Sequence, residues 1–289
     1  MNKKQKNEML WGYLMLLPLI TGILVFSIVP FFQNIFYSFT NLGSFGQYKM
    51  IGFANYSKLF SDTKVWIAFW NTFKYVIFSV PIGISLSLII AVLLNSKIKG
   101  KGLYRTLLFL PAVTMPSAIA MIWKWLYNKD FGILNLVFGT HVSWMGNPNF
   151  VFWSITIVMI WSGIGYNMII LLAGLQGISP SYYEAAEIDG AGPVAKFFKI
   201  TLPLLSPTLF FVSITSIIGT LQSFDIVMMM LGKTSLVEGK ATTAVYMFYK
   251  QAFILHNKGY AATIAIALFI VTMIITAIQL RLQKKWNID

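Results

Sequence analysis

Few side chains in this 289-residue sequence could do chemistry, and residue type alone excludes most kinds of catalytic or metal site. The sequence has no cysteine, which excludes disulfides, thiolate metal sites and cysteine nucleophiles. Its two histidines, His141 and His256, lie far apart, which argues against a histidine metal cluster. Neither paired carboxylates nor a Ser-His-Asp set is evident. The sequence therefore predicts a protein that is not an enzyme and has no cofactor of its own.

The polar residues that remain available lie inside long apolar stretches. Ser216, Thr220 and Ser223 recur at four- and three-residue spacing, so on a helix they would share one face. Polar side chains are costly within a membrane-spanning helix and therefore tend to face a cavity. Hydroxyl groups in such a place can pair with the hydroxyls of a sugar. The spacing predicts a polar stripe that meets a solute.

The same residues allow a second interpretation. Serine and threonine side chains often hydrogen-bond to a carbonyl one turn earlier in their own helix. Likewise Gly163 and Gly165, in the preceding apolar stretch, could let two helices pack closely. Lining of a cavity and packing of helices are both consistent with the sequence.

Hydrophobicity indicates which elements position these residues. Hydrophobic residues make up 57% of the chain and charged residues 11%, and the mean hydropathy is +0.72. These few polar residues cannot cover the surface of a water-soluble globule of this size. The chain therefore belongs in lipid. The net charge of +13 does not indicate nucleic acid, because the basic residues punctuate apolar stretches instead of clustering on one hydrated face.

Six apolar stretches are long enough to cross a bilayer, which takes about 20 residues. The first follows Lys3, Lys4 and Lys6 and so resembles a signal peptide, but its apolar run is too long and no small-residue cleavage site follows. We expect it to be retained, which predicts an all-α polytopic membrane protein whose residues 1–289 form a single transmembrane domain. The spans are predicted at about 10–38, 69–95, 106–127, 150–174, 204–230 and 260–281.

The distribution of basic residues predicts the orientation. Twelve of the 22 lysines and arginines fall in the segments 1–9, 96–105, 175–203 and 282–289 together with Arg281. The longer segments on the other side hold fewer, and loops rich in Lys and Arg stay cytoplasmic. We therefore expect both termini on the cytoplasmic side.

The segment between the fourth and fifth spans begins with helix-start signals. Ser179 followed by Pro180 is a typical N-cap with proline at the first helical position. Ser181 with Glu184 forms an alternative capping box, in which Glu184 would merely cap its own helix. Either pattern predicts a short helix from Tyr182.

The same segment then predicts a glycine turn and a second helix. Gly190 suits the left-handed residue that closes a helix, and Pro193 can open another that runs to Ile200. Apolar side chains beside acidic ones would form a docking surface for a soluble protein. The apolar ones are Ile188, Val194, Phe197 and Phe198, and the acidic ones are Glu184, Glu187 and Asp189.

At these residues the sequence resembles a known family. The pattern Glu-Ala-Ala, three residues, Gly, nine residues, Ile, one residue, Leu-Pro is similar to the conserved cytoplasmic loop of bacterial ABC importer permeases. The resemblance implies that residues 179–203, the coupling segment, form coupling helices that insert into a cleft of a separate ATP-binding subunit. The matching residues are Glu184, Ala185, Ala186, Gly190, Ile200, Leu202 and Pro203.

The resemblance covers about residues 14–280 and points to the carbohydrate-type branch. Supporting phrases are Asn55-Tyr56, Asn71-Thr72, Leu110-Pro111, Ile188-Asp189-Gly190-Ala191 and Gly259-Tyr260-Ala261-Ala262. It implies a type I ABC importer permease core in a bacterial inner membrane. The implied partners are a second homologous permease, two ATP-binding subunits that hold ATP and Mg, an extracellular solute-binding protein and a sugar.

The resemblance also implies a substrate pathway. Counted from the coupling segment, Gly163, Tyr166, Ser216, Thr220 and Ser223 match positions that line the sugar site in the maltose-type family. An aromatic ring would cover the apolar ring hydrogens of a sugar while hydroxyls pair with its hydroxyls. One departure is that family members usually carry Thr-x-Gly-Gly-Pro after the fifth span, where this chain reads Leu231-Gly232-Lys233-Thr234-Ser235.

The sequence holds no ATP site of its own, because Val227 stands where a phosphate-binding loop ending in Gly232-Lys233-Thr234 would need its first glycine. An ion-coupled secondary transporter is the alternative function, since six spans with a few polar residues also suit ion exchange. That class needs titratable groups within the membrane, and Asp225 is the single acid inside a predicted span.

Overall fold

The computed structural model describes residues 3–44, 46–96, 98–232 and 237–283. Within these ranges the chain is helical, and the β-type pairing is one isolated antiparallel bridge between Thr40 and Met50. This confirms the predicted all-α class. Lys97, Lys284 and Lys285, which contribute to the predicted charge bias, and residues 233–235 of the departing element lie outside the described residues.

The helices are numbered in chain order and keep these labels throughout. They are α1 (Lys3–Ile23), α2 (Val29–Ser38), α3 (Ala54–Ser61), α4 (Thr63–Asn95), α5 (Lys101–Val113), α6 (Pro116–Leu126), α7 (Ile133–Phe138), α8 (Val151–Gln176), α9 (Pro180–Ile188), α10 (Pro193–Lys196), α11 (Leu202–Leu204), α12 (Ser206–Leu221), α13 (Asp225–Leu231), α14 (Glu238–Ala241), α15 (Ala244–Tyr249) and α16 (Lys258–Gln283). In addition, Leu24–Ile28, Phe197–Thr201 and Lys250–Ile254 are π-helical.

Helix length and composition match the predicted spans. Four continuous helices are long and apolar enough to cross a membrane, namely Asn7–Ser38, α4, α8 and α16. Two pairs of helices are also long and apolar enough when each pair is taken together. α5 and α6 are bent by 101° relative to each other, and Pro193–Leu204 and α12 by 65°. If each bent pair is one span, the described residues hold the six spans predicted from the sequence.

The third predicted span, 106–127, is not a straight helix. α5 ends at Val113 and α6 begins at Pro116, and Thr114 and Met115 between them are extended, with ψ of 138° and 135°. The ring of a proline clashes with a helical conformation of the residue before it. Pro116 therefore breaks the span and starts its second half in a new direction.

The fifth predicted span, 204–230, also differs from the structure. α12 ends at Leu221, residues 222–224 are not helical, and α13 starts at Asp225. The polar residues here interrupt the apolar run, and an acidic residue is favourable in the first turn of a new helix. Ser223 therefore lies in the break and not on the helix face that carries Ser216 and Thr220, so the predicted three-residue stripe is wrong at Ser223.

The chain divides into two compact units, and the predicted single domain stays a prediction. The first unit consists of Met1–Asp62 and Phe248–Leu268. In it, the amide of Asn55 donates hydrogen bonds to the carbonyls of Ser38 (2.9 Å) and Thr40 (2.8 Å). Buried polar groups need such partners. Asn55, from the Asn55-Tyr56 phrase that the sequence shares with the family, therefore holds the chain in place at the end of α2.

The second unit consists of Thr63–Met247 and Phe269–Asp289, and α4 packs along α8 in its centre. One buried cluster lies near the start of both helices and includes Tyr75, Ile155 and Val227. A second lies near their ends and includes Leu94 and Leu171. Burial of such side chains is the main stabilising term in a packed interior. The middle of α4 and α8 is left between the two clusters.

Candidate functional site

A cavity of about 280 Å³ lies between α4, α8 and α12 in the second unit. It occupies the level between the two buried clusters. The residues that line it are Ser79, Val80 and Gly83 of α4, then Met159, Ile160, Ser162, Gly163, Tyr166 and Asn167 of α8, then Thr215, Ser216, Gly219 and Thr220 of α12, together with Ser223 and Ile226.

All five residues of the predicted substrate pathway line this one cavity. They are Gly163, Tyr166, Ser216, Thr220 and Ser223. Ser223 reaches it from the break after α12, because the chain turns there before α13 begins. The structure thus brings the five residues together, while their role in binding a substrate stays a prediction.

The structure gives different roles to the two glycines of α8, Gly163 and Gly165, which the sequence could not distinguish. A β-carbon built on Gly163 would meet nothing within 4 Å, so this position faces open space. A β-carbon on Gly165 would lie 2.9 Å from Cα of Phe109 and closer still to the carbonyl oxygen of Leu108. Gly165 therefore serves close packing of α8 on α5, as small residues do in membrane interfaces, and Gly163 lines the cavity.

Local hydrogen bonds show that back-bonding also occurs. The hydroxyl of Thr215 donates to the carbonyl of Phe211 at 3.0 Å, and that of Ser162 to the carbonyl of Met159 at 3.0 Å. The hydroxyl of Ser216 instead lies 3.4 Å from Oδ1 of Asn167 on the neighbouring helix. Lining and back-bonding therefore occur together, because Thr215 and Ser162 line the cavity as well.

Sequence reasoning missed the contribution of α4 to the cavity. Ser79 and Gly83 line it, although no role was predicted for the second span. The signal was present, since Ser79, Gly83 and Ser87 are spaced by four residues and share one helix face. Ser87 lies beyond the cavity and bridges two helices, because its hydroxyl is 2.6 Å from the carbonyl of Gly83 and 3.2 Å from that of Ile164.

The cavity offers several hydroxyls, the side-chain amide of Asn167 and one aromatic ring. Among the described residues that line it none carries a charge, and Tyr166 keeps 52% of its surface exposed. The described part of the chain also has no group of three or more His, Cys, Asp or Glu residues that could hold a metal ion. Such a surface can hydrogen-bond a neutral polyhydroxylated solute and stack on its apolar face.

The coupling segment begins with the predicted N-cap. Ser179 is the N-cap residue and Pro180 the first helical residue, and Oγ of Ser179 accepts a 3.4 Å hydrogen bond from the backbone N–H of Ser181. The helix starts at Pro180, two residues before the predicted Tyr182. Because Ser181 lies inside the helix, it cannot be the N-cap of a box with Glu184. That alternative is wrong, and Glu184 is exposed on the side of the helix.

The predicted glycine turn is confirmed. Gly190 has a φ of 75°, in the left-handed region. The N–H of Ala191 donates to the carbonyl of Ala186 at 2.8 Å, and the N–H of Gly190 to that of Glu187 at 3.0 Å. These two bonds form a Schellman motif, which satisfies the last carbonyls of α9. α10 then begins at Pro193, as predicted.

Two side-chain contacts join the helices of the coupling segment. Nζ of Lys196 lies 2.7 Å from Oε1 of Glu187, and the hydroxyls of Tyr183 and Thr201 lie 3.0 Å apart. The hydrogen bond from Lys196, and then its charge, hold the pKa of Glu187 below its usual range. The two helices are therefore tied together on both sides of the turn.

The predicted coupling residues differ in exposure. Ala186 is buried, whereas Glu184, Ala185 and Gly190 are exposed, and Ile200, Leu202 and Pro203 are half-buried where the segment leads into α12. Beside them, Ile188 is 88%, Val194 70% and Phe198 60% exposed. Large apolar side chains this exposed around the glycine turn indicate an interaction surface.

The fold and the cavity define a helical membrane protein with a solute-sized cavity, lined in part by hydroxyl groups, and an exposed loop between two of its lining helices. Residues 75–288 match the family described as binding-protein-dependent transport system inner membrane component. The chain belongs to this family, which makes it an inner-membrane component of a transport system.

Individual relatives cover nearly the whole chain. The probable ABC transporter permease protein YesP of Bacillus subtilis is 35% identical, with 97% of this chain and 93% of that protein covered. The trehalose/maltose transport system permease protein MalF of Thermococcus litoralis is 32% identical, with 98% and 97% covered. The chain is therefore similar to transport permeases over nearly its whole length.

Solved structures show the same fold. A chain of a bacterial ABC transporter involved in the import of the acidic polysaccharide alginate superposes with a TM-score of 0.86 at 21% identity, and 98% of each chain is covered. A chain of the alginate transporter in complex with an alginate pentasaccharide-bound periplasmic protein gives a TM-score of 0.85 at 21% identity, with 96% and 94% covered. The fold is that of an ABC importer permease.

Proposed function

We propose that this chain is one of the two membrane-spanning permease subunits of an ATP-driven importer of a sugar or oligosaccharide. The single observation that carries the proposal is the connection between cavity and coupling segment. α8 and α12 line the cavity, and residues 177–205 that join them contain the whole coupling segment. Force applied to this segment therefore acts directly on two walls of the cavity.

The chemistry of the cavity supports a sugar as substrate. Its described lining combines neutral hydroxyls and one amide with the ring of Tyr166, which suits the alternating polar and apolar faces of a pyranose. Relatives are named for trehalose and maltose, and a solved neighbour for alginate. Charge-free lining also accommodates several sugars, so we assign selection among them to an extracellular binding protein.

The coupling segment supports an external source of energy. Its exposed Ile188, Val194 and Phe198 form an apolar surface with Glu184 and Asp189 at its border. An apolar centre with a charged rim is typical of a docking site on a soluble protein. We assign this surface to one of two ATP-binding subunits, which hold ATP and Mg and do the hydrolysis, so that the permease itself is not an enzyme.

The remaining parts of the proposal concern place and partners. A second homologous permease completes the pathway, because this chain supplies the walls of one cavity from its own α4, α8, α12 and the residues that follow α12. We place the protein in a bacterial inner membrane with both termini in the cytoplasm. The basic residues of the segments next to the spans support this orientation.

The experiment replaces the aromatic wall of the cavity. Tyr166→Ala should abolish uptake while co-purification with the ATP-binding subunits and basal ATP hydrolysis stay as in the parent. Ile169→Ala is the matched control, because Ile169 is exposed on the same helix and does not line the cavity. Normal sugar uptake by Tyr166→Ala would remove this cavity from the pathway.

A second measurement separates the proposal from an ion-coupled secondary transporter. In vesicles with all subunits, uptake should need ATP inside and survive collapse of the ion gradients by an ionophore. Among the described residues of the cavity no carboxylate is present to carry a coupled proton. Gradient-driven uptake by the chain alone would refute the proposed function.

A further inference from the structure

Asn71 and Thr72, one of the phrases that the sequence shares with the family, lie near the start of α4 and are almost completely buried. The side-chain amide of Asn71 donates to the carbonyl of Gly239 at 3.1 Å and to that of Thr242 at 3.2 Å. The hydroxyl of Thr72 accepts a 2.9 Å bond from the N–H of Ala244. Both residues therefore hold a segment about 170 positions away in the chain, residues 238–244.

Tyr75, one turn further along α4, completes the set. It is fully buried, and its hydroxyl donates to the carbonyl of Ala241 at 3.0 Å. Each of these contacts is made to the main chain of the 238–244 segment and not to its side chains. The segment is thus recognised by its backbone shape, and loss of the α4 side chains would leave the buried carbonyls of Ala241 and Thr242 without these partners.

The 238–244 segment is connected to the cavity. The hydroxyl of Thr243 donates to the carbonyl of Ser223 at 3.0 Å, and Ser223 lines the cavity from the break after α12. Met159 and Ile226 also line the cavity and pack against the buried cluster that contains Ala241. The segment does not itself line the cavity, but it is bonded to the corner of the lining at Ser223, on the side toward the start of α4.

Between them these bonds tie three parts of the chain, α4, the break after α12 and the 238–244 segment. A movement that widened the cavity between α4 and the break after α12 would have to separate them. Buried hydrogen bonds of this kind are costly to break without water to replace them. The joined arrangement is therefore the stable one until another interaction separates the three parts.

We infer that Asn71, Thr72 and Tyr75 are positioning residues that latch the 238–244 segment, and through Thr243 the Ser223 corner, over one end of the cavity. The inference rests on the proposed function, because it treats the cavity as the pathway. In the proposed orientation this end is the outer one. Loss of the latch then opens the pathway without touching the residues that meet the substrate.

The chain has no cysteine, so one introduced thiol reports access to the cavity. Gly219→Cys is suitable because Gly219 lines the cavity and a β-carbon there meets nothing within 4 Å. A membrane-impermeant maleimide is added to intact cells and, separately, to inside-out vesicles that contain the assembled transporter. The rate of labelling from each side is measured, with labelling after denaturation as the measure of total thiol.

Asn71→Ala and Thr72→Val should each speed labelling from the outer side about tenfold, as expected for loss of a buried hydrogen bond, and leave the inner side unchanged. Thr72→Ser keeps the acceptor and should restore the slow rate. Gly239→Ala is the matched control, because it keeps the carbonyl that Asn71 binds and its methyl group enters open space. It should label like the parent.

Thr72→Val is the decisive variant if Asn71→Ala does not assemble, because it changes neither shape nor volume appreciably. Slow outer labelling in assembled Thr72→Val, or equal acceleration in Gly239→Ala, would overturn the latch. Failure of the proposed function has a different signature. In that case the Tyr166→Ala variant would transport normally, whatever the labelling rates of the latch variants.

Discussion

Lys196 donates a 2.7 Å hydrogen bond from Nζ to Oε1 of Glu187, across the Gly190 turn that joins the two helices of the coupling segment. The side chain of Lys196 is only 17% exposed, whereas that of Glu187 is 72% exposed. Exposed ion pairs add little to stability, so the pair matters for geometry. Together with the Tyr183–Thr201 contact, it links the two sides of the turn, so we expect the segment to move as one piece.

Charge reversal tests this geometry. Lys196→Glu places two carboxylates together, so we expect about threefold less uptake per ATP hydrolysed, with the ATP-binding subunits still bound. The reciprocal exchange, Lys196→Glu with Glu187→Lys, recreates the pair and should recover most of the loss. Transport and hydrolysis are measured in the same vesicles. A double variant no better than Lys196→Glu would show that the ion pair does not position the helices.

Acid should remove the same contact. Because Lys196 holds the pKa of Glu187 below its ordinary value of 4.5, the pair stabilises the fold above that value. The stabilisation is lost as the pH falls through the lowered pKa of the folded state. The melting temperature of the parent should therefore slightly exceed that of Glu187→Gln at pH 7, and the difference should shrink as the pH falls below 4.5 and vanish once the pH is below the lowered pKa. A difference independent of pH would contradict this assignment.

The sequence predicted well where the signals are local. The N-cap at Ser179, the left-handed Gly190 and the start of α10 at Pro193 each depend on a few neighbouring residues, and the structure has all three. Capping and φ preferences act over one turn and need no partner. The positions of the long apolar helices follow equally directly from their hydrophobicity.

The sequence predicted poorly where the outcome depends on direction or on distant contacts. Averaged hydropathy cannot show that Pro116 turns the third span by 101°, or that the fifth span stops before Ser223. Nor could spacing alone show which of Gly163 and Gly165 packs against another helix, because that depends on the position of α5. Ser79 was missed for the same reason, since lining a cavity is a relation between three helices.

Gly190 and Gly192 form a matched pair for the turn. Gly190 has a φ of 75°, whereas Gly192 is extended with a φ of −71°, and a β-carbon on either meets nothing within 4 Å. Gly190→Ala should therefore cost about 1–2 kcal/mol from the left-handed backbone alone, and Gly192→Ala should cost less. Limited proteolysis of the coupling segment measures this. Equal protease resistance of the two variants would show that the left-handed backbone at Gly190 does not require glycine.

Gly163 and Gly165 are the matched pair for the cavity wall. Gly165→Ala drives a methyl group into the backbone of α5 at Leu108 and Phe109, which cannot yield as a side chain would. Overpacking of this kind typically costs about 1–3 kcal/mol, so the melting temperature and the yield of assembled complex should fall.

Gly163→Ala should leave both quantities as in the parent, because its methyl group enters open space. That space is the cavity, so the methyl group narrows it, and the expected loss is in transport, seen as a raised KM for uptake. The opposite result, in which Gly165→Ala assembles normally and Gly163→Ala transports normally, would show that the packing and lining roles are wrongly assigned. If Gly163→Ala reduces transport without lowering the melting temperature or the yield of complex, this face of α8 contacts the solute.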